Sequence, residues 1–388
     1  MPIYIGVNNK AKKMAYAYIG VNGTAKLVKK AYVGIAGIAR KIYEYERIYT
    51  YKLIKGNSPT SLSQARSNLA AGTAGSYAIF AGGKDNNSTY SMVEAYNDEL
   101  SKSIPGALSE SKYGLASASF NNNVIFAGGR QVNSTTVYNS VDIYDANLTK
   151  SSGELLTDKK DGMGATSNNG YAMFGGGSGY NGKRSGKVDV YDTSFVKSSA
   201  DDLSTSRANL AAASIGNYSL FAGGSSDSSI YSDTVDAYDQ LLTHSVVETP
   251  LSVGRYSVAS SSNNVYAVFA GGYYASGSAM TNAVDGYNDL LTRSTSSLGY
   301  NRIIGGTTAI ENYAIFAGGL VSSGLIDTYD ETFTHSFAKD RMDVKGAFGA
   351  VTIGDHVLFG GGDLGGFNRT YTSVVEEFHI DKPSAVTE

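Results

Sequence analysis

The sequence predicts an all-β protein, a seven-bladed β-propeller preceded by a small β-meander arm. Three observations predict it. The phrase Tyr77-Ala-Ile-Phe-Ala-Gly-Gly83 returns six times in close variants, the last being His356-Val-Leu-Phe-Gly-Gly-Gly362. Its central residues, Phe80, Phe126, Phe174, Phe221, Phe269, Phe316 and Phe359, lie 46, 48, 47, 48, 47 and 43 residues apart. A period in that range marks a repeat architecture, and four short strands per repeat fit a propeller blade.

Composition narrows the chemistry. The 388 residues include no Cys and no Trp. Disulfides, thiolate metal sites and a cysteine nucleophile are therefore excluded. Only 5 residues are Pro, so Gly, Asn and Ser must make most of the turns, while 29 are Tyr. Net charge is −3, unevenly spread: residues 1–55 carry nine Lys and two Arg against Glu44 and Glu46, or +9, which leaves −12 for the rest. A basic arm on an acidic body suggests different partners at the two ends. No stretch approaches ~20 apolar residues, so no membrane partner is expected. The first ten residues lack a signal-peptide layout. The expected route to the outside is inside an assembly or by lysis.

The arm, residues 1–48, holds a shorter repeat. Ile3-Tyr-Ile-Gly-Val-Asn-Asn-Lys-Ala-Lys12 is followed by Ala17-Tyr-Ile-Gly-Val-Asn-Gly-Thr-Ala-Lys26 and Ala31-Tyr-Val-Gly-Ile-Ala-Gly-Ile-Ala-Arg40. Asn22-Gly23 is a strong hairpin signal, with Asn8-Asn9 and Ala36-Gly37 as weaker versions. The expected strands are 3–7, 10–21, 24–35 and 38–54. So small a sheet has too little core to stand alone and calls for a partner or a homo-oligomer. Lys10, Lys12, Lys13, Lys26, Lys29, Lys30 and Arg40 would form a docking surface for an acidic protein, a solvated face being the plain alternative. No nucleic-acid motif accompanies the charge, so that partner is not expected. The arm resembles the Tyr-Ile-Gly-Val-Asn-Gly repeats that front tail-associated proteins of phages and prophages of Gram-positive bacteria. The resemblance covers about residues 1–45 and implies a virion protein whose arm attaches to other tail proteins.

In the first long repeat, Arg66-Ser-Asn-Leu-Ala-Ala-Gly-Thr73 suits a crowded inner strand and Tyr77 to Gly83 is the second strand. Met92-Val-Glu-Ala-Tyr-Asn97 is an alternating third strand, and Leu100-Ser-Lys-Ser103 begins the outer one. The third strand recurs as Val141-Asp-Ile-Tyr-Asp145, Val188-Asp-Val-Tyr-Asp192, Val235-Asp-Ala-Tyr-Asp239, Val284-Asp-Gly-Tyr-Asn288, Ile326-Asp-Thr-Tyr-Asp330 and Val375-Glu-Glu-Phe-His379. Each repeat opens with a cation: Arg66, Lys112, Lys160, Arg207, Arg255, Arg302 or Lys345. The Gly pair, the third strand and the opening cation together resemble kelch repeats over about residues 58–380. The resemblance implies a kelch-type propeller. One departure is consistent: Ser103, Ser151, Ser198, Ser245, Ser294 and Ser336 stand where the family has Trp. Leu148, Leu241 and Leu290 are expected to take over part of that packing. Alignment places residues 49–56 opposite Tyr238 to Ser245, so they are expected to complete the last blade of a propeller spanning 49–388.

The third-strand acids, Glu94, Asp142, Asp189, Asp236, Asp285, Asp327 and Glu376, look like a catalytic or metal ring. They occur once per blade in the same place, which predicts a repeated structural bond instead. The four His residues, His244, His335, His356 and His379, lack the spacing of a helical zinc site. A galactose-oxidase-like enzyme would need Cys, and a sialidase would show Ser-x-Asp-x-Gly-x-Thr-Trp boxes. Neither feature is present. No catalytic residue, metal or cofactor is expected, although paired loop carboxylates would leave no sequence signature.

The loops after the Gly pairs break the repeat, and propeller geometry puts them on one face. Tyr, Ser, Asn, Gly and a few Arg dominate them. Tyr offers stiff contact area and the small polar residues adapt their hydrogen bonds. The candidate ligand-binding residues are Tyr90, Arg130, Tyr138, Tyr180, Arg184, Tyr231, Tyr273, Tyr274, Phe367 and Arg369. The expected function is a non-enzymatic tail-associated protein whose loops bind a bacterial surface glycan or protein. Alternatives are a virion decoration protein, a glycan-degrading enzyme and a bacterial interaction scaffold.

Overall fold

The computed structural model describes residues 52–381 except 169, 228–229, 276–278, 320–323 and 366–368, together with six strands between Tyr4 and Glu44. Every regular element among these residues is a strand. The chain divides into two compact units, with the boundary between Tyr51 and Lys52. The larger unit holds seven four-stranded antiparallel sheets.

The first blade shows the pattern. Its strands are Ala70–Ala74, Tyr77–Ala81, Val93–Tyr96 and Lys102–Ser103, hydrogen-bonded in that order. Small residues fill the first strand, because the seven inner strands crowd against one another around the axis. Each touches the next, and Gly349–Ile353 of the seventh blade touches Ala70–Ala74 of the first. The second strand is buried on both faces, as its unbroken apolar run requires. Its Phe meets the third-strand Tyr edge to face, as in Phe80–Tyr96 at 6.0 Å and Phe221–Tyr238 at 5.8 Å.

The Gly pair is the joint between blades. The Gly83 N–H donates to the Lys112 carbonyl at 3.0 Å, and six equivalent bonds follow, ending with Gly362 to Arg66 at 2.8 Å, which closes the ring. Gly82 and Gly83 both have positive φ, 67° and 106°. A Cβ on Gly82 would sit 2.5 Å from the Lys112 carbonyl oxygen. The phrase is thus a strand whose end is stripped of side chains so that the next blade's backbone can dock.

The outer strand of the seventh blade comes from the other end of the unit. Leu53–Lys55 pairs antiparallel with Val375–Ile380, with Phe378 opposite Lys55 and Ile380 opposite Leu53. Of the stretch 49–56, residues 49–51 lie outside the described residues.

The packing that Trp would supply comes from a residue that the sequence reading placed correctly at Leu148 and one position early in two other blades. Leu241 and Leu290 are 86% and 79% exposed. The side chains that pack on the core are Leu100, Leu148, Phe195, Leu242, Leu291 and Phe333. All six lie in the turn before the outer strand with φ between 57° and 61°. The turn explains the shift. The Asp239 carboxylate accepts the N–H groups of Leu241 and Thr243, which leaves Leu241 at the tip and turns Leu242 back. A left-handed L-residue costs ~1–2 kcal/mol, which burial of a Leu or Phe, about 1.5–3 kcal/mol, offsets.

In the arm, Tyr4–Val7 pairs with Lys10–Lys13, Tyr18–Val21 with Thr24–Leu27, and Lys30–Ile35 with Ile38–Glu44. These are three separate two-stranded sheets among the described residues, not the four-strand meander expected. Each fourteen-residue copy carries its own turn signal, so each closes on itself, where loop-closure entropy is least. Lys10, Lys12, Lys13, Lys26, Lys30 and Arg40 fall on these strands, and Lys29 lies outside the described residues.

Substitution tests the joint. Gly223→Ala puts a Cβ 2.7 Å from the Arg255 carbonyl oxygen, whereas Gly182→Ala, also at positive φ, meets nothing within 4 Å. Gly182→Ala is expected to cost ~1–2 kcal/mol and Gly223→Ala clearly more, read by denaturant melts of both variants. Equal losses would reduce the joint to a conformational preference.

Candidate functional site

Two sets of polar residues are candidates: the charged rows inside the blades and the loops after the Gly pairs. The charged rows are buried. The opening cations and the third-strand acids are all 0–2% exposed, and they pair within each blade. Arg66 lies 2.8 Å from Glu94, Lys112 3.0 Å from Asp142, Lys160 3.0 Å from Asp189, and Lys345 3.0 Å from Glu376. Arg207–Asp236 at 2.5 Å, Arg255–Asp285 at 2.8 Å and Arg302–Asp327 complete the set.

Each acid also holds a second side chain and a backbone N–H. The second side chain comes from the outer strand, opposite the third-strand aromatic residue: the cations Lys102, Lys150, Lys197 and Arg293, or the imidazoles of His244 and His335. In the last blade Lys55 takes that place, 2.7 Å from Glu376. The N–H comes from the segment leading into the blade, for example Ser63 to Glu94 at 2.6 Å and Ser109 to Asp142 at 3.0 Å. Burial alone would push the Asp142 carboxyl up, but the Lys112 ammonium, the Ser109 hydroxyl and Lys150 hold it below the usual carboxylate range. The same balance keeps Glu94, Asp189, Asp236, Asp327 and Glu376 low. These groups fasten blades, and of them Lys160 alone also lines one of the clefts described below.

All four His residues bond buried carboxylates. His244 and His335 bond Asp236 and Asp327, while His356 and His379 both reach Glu377, at 2.7 and 3.1 Å. No cluster of three or more His, Asp or Glu side chains able to hold a metal ion occurs among the described residues.

The loop face is built from a second row of backbone bridges. The residue after each opening cation pairs with the residue after the Gly pair: Ser67 with Lys84, Tyr113 with Arg130, Asp161 with Ser178, Ala208 with Ser225, Tyr256 with Tyr273, and Gly346 with Asp363. Side chains from this row tie neighbouring blades together. The Lys84 ammonium lies 4.6 Å above the Tyr113 ring. The Arg130 guanidinium grips Asp161 at 2.5 and 3.0 Å. The Arg184 N–H donates to the Asp227 carboxylate at 2.8 Å. Tyr231 stacks on Tyr256 at 4.8 Å and Tyr256 on Tyr273 at 5.1 Å. The Tyr371 hydroxyl donates to Asn86 at 2.9 Å.

Several candidates are therefore already engaged. The Tyr90 hydroxyl donates to Asp85 at 2.5 Å within its own loop, and burial together with that carboxylate pushes it up to about 12. Arg130 is half-buried against Asp161, whose burial raises its carboxyl despite that partner. Tyr138 is half-buried, its hydroxyl raised by burial and by Glu110. Tyr180 stands out at 69% exposure, and Tyr274 is 44% exposed. The Arg369 side chain is exposed and lies 3.7 Å from Asp363. Phe367 lies outside the described residues. The structure brings Tyr231 and Tyr273 together through Tyr256, which the sequence reading missed along with Tyr113 and Asp161. All three directly follow an opening cation, so aligning that column would have found them.

Clefts open at the ends of the blades, among them one of 500 Å³ beside Asp239 and Asp289. One of 230 Å³ on the loop face is lined by Asp158, Lys159, Lys160, Gly179, Asn181, Lys183, Arg184 and Ser185. A third, of 420 Å³, lies where the inner strands end on the opposite side. Ser119, Ser167, Ser214 and Ser262 line it, with no charged group.

Seven four-stranded sheets closed around one axis make this a seven-bladed β-propeller. No protein-family model matches the chain, and no curated protein matches it. The chain is similar to the solved structure of YjhT, with TM-score 0.57, 14% identity and coverage of 72% of this chain and 99% of that one. At that identity the likeness concerns the fold.

The buried rows give two expectations. Lys112→Met leaves Asp142 short of its inner partner and should cost ~3–5 kcal/mol, while Lys112→Met with Asp142→Leu should recover only part of it, because the Ser109 N–H and Lys150 then lose their acceptor. Denaturant melts of the two variants check this. Because the folded carboxyls titrate below their unfolded values, ~3.9–4.3, their contribution is complete at neutral pH. It is lost as pH falls below ~4 through the folded values. Circular dichroism across an acid titration should show the propeller holding at pH 5 and unfolding below pH 4.

Proposed function

We propose that the protein is a non-catalytic, tail-associated protein of a phage or prophage, and that its propeller binds a surface polymer of a bacterium through the loop face. The basic arm is the part that attaches to the particle. The observation that carries the binding reading is the stack of Tyr231, Tyr256 and Tyr273 across two blades, on a face whose other loops are pinned blade to blade. Rigid scaffolds that present Tyr-rich loops suit recognition, since little entropy is lost when the ligand arrives. A surface glycan fits best, because tyrosine rings accept apolar sugar faces while Asn, Ser and Thr side chains meet hydroxyls.

Two features support binding over turnover. The cleft on the loop face holds one carboxylate, Asp158, and that group accepts the Ser185 hydroxyl at 2.7 Å. The acids that repeat are all tied to buried cations. The arm's role rests on its resemblance to tail-associated repeats and on its charge, opposite to that of the body.

The test is saturable binding of the labelled full chain to a panel of whole bacteria, with envelope-stripped cells as control. Binding is expected on some strains and lost on stripping, and Tyr231→Ala with Tyr273→Ala should weaken it about tenfold or more. No binding across a broad panel would sink the receptor role. Separately, residues 1–48 fused to a reporter should co-sediment with particles, and failure to do so would remove the attachment role.

A further inference from the structure

We infer that the loop face carries an anion-binding subsite in blade three, continuous with the tyrosine stack, and that the polymer it takes is an anionic glycan. The inference rests on the reading of this face as the receptor-binding one and names the ligand's chemistry.

The propeller is an acidic body, yet the cleft of 230 Å³ on its loop face gathers cations: Lys159, Lys160, Lys183 and Arg184 against one acid, Asp158. Lys160 is neutralised by Asp189. Lys159 and Lys183 are exposed and make no ion pair among the described residues. The Arg184 backbone N–H bonds Asp227, but its guanidinium has only a long contact, 3.4 Å, to the Ser225 hydroxyl. Its Nε is buried and has no hydrogen-bond partner. A buried guanidinium N–H without an acceptor is costly, and an arriving phosphate or carboxylate oxygen would satisfy it. With Asp158 set against Lys159, Lys183 and Arg184, the cleft keeps an excess of two positive charges on a negative body, which also draws anions to that spot.

The cleft does not stand alone. Arg184 touches Ser225, Ser225 pairs with Tyr231, and Tyr231 stacks on Tyr256 and Tyr273. A chain of contacts thus runs over three adjacent blades, basic at one end and aromatic at the other. That order matches a polymer whose repeat carries an acid group beside an uncharged sugar. The acid would sit at Lys159, Lys183 and Arg184, and the sugar would lie against the tyrosines. The acid could be a phosphodiester or a uronate carboxylate, and both present oxygens that Arg and Lys bind.

The experiment is calorimetric titration of the full chain with poly(glycerol phosphate), polygalacturonate and neutral dextran, at 50 and 300 mM salt. One anionic polymer is expected to bind, at least tenfold more weakly at the higher salt, and dextran much less. Which anionic polymer binds identifies the acid. Lys183→Glu and Arg184→Gln should each lose at least tenfold, while Lys339→Glu, an exposed lysine elsewhere, should change little. Both Lys183 and Lys339 are surface positions, so a fold defect would show as a matched drop in melting temperature. Lys159→Gln then serves as the replacement variant. Dextran binding as tightly as both anionic polymers, or cleft variants binding like wild type, would overturn the inference. Running the same variants on whole cells separates the two readings. Cell binding that survives the cleft substitutions overturns the anionic subsite and leaves the receptor role standing. Polymer binding without any cell binding does the reverse.

Discussion

Every blade hangs on one buried carboxylate. It is held from the inside by the opening Arg or Lys, from the outside by a Lys, Arg or His of the outer strand, and from above by the N–H of the segment leading in. A bare carboxylate at this depth would cost several kcal/mol, so the site is stable only with its partners in place. That condition locks three otherwise separate pieces of chain to one atom group. It does so seven times, and the Gly pairs then join each locked blade to the next.

Stability and recognition are thereby assigned to different residues of the same chain. The repeated rows are spent on the scaffold, and their sameness from blade to blade reflects that. The residues that differ lie after the opening cations and after the Gly pairs. Around the face they change from Lys84 and Arg130, through hydroxyls at Ser178 and Ser225, to Tyr256 and Tyr273. Lys84, Arg130, Ser225 and Tyr256 also touch the adjacent blade, so these positions shape the face and join blades at once.

The fold was legible because period, Gly pair and third strand each repeat, and seven copies average out local ambiguity. The structural role of the repeated acids was legible for the same reason, but not that their partners are the opening cations. What the sequence hid was geometry at turns and across blades. Leu241 and Leu242 differ only in which one the Asp239 turn sends outward. The outer partners of the acids occupy one column, from Lys102 to His335, but His beside Lys and Arg disguises their common role. Tyr90 and Arg130 looked like free loop residues, since bonds to Asp85 and Asp161 depend on how loops fold and on which blade lies next. The arm misled in another way: alternation and turn residues announce strands, but nothing in a fourteen-residue repeat says whether a copy pairs with itself or with its neighbour.

The closing strand has a mechanical consequence. Leu53–Lys55 is the first strand after the arm in the chain, so tension on residues before Lys52 enters the propeller where, among the described residues, one sheet joins distant chain segments. The bond from the Asp381 N–H to the Lys52 carbonyl and the pairing of Leu53 with Ile380 meet the load first. The ion pair of Lys55 with Glu376 lies two residues deeper. A tug on the arm must therefore unzip backbone before it can reach charge, and the ring resists opening most strongly at its last latch.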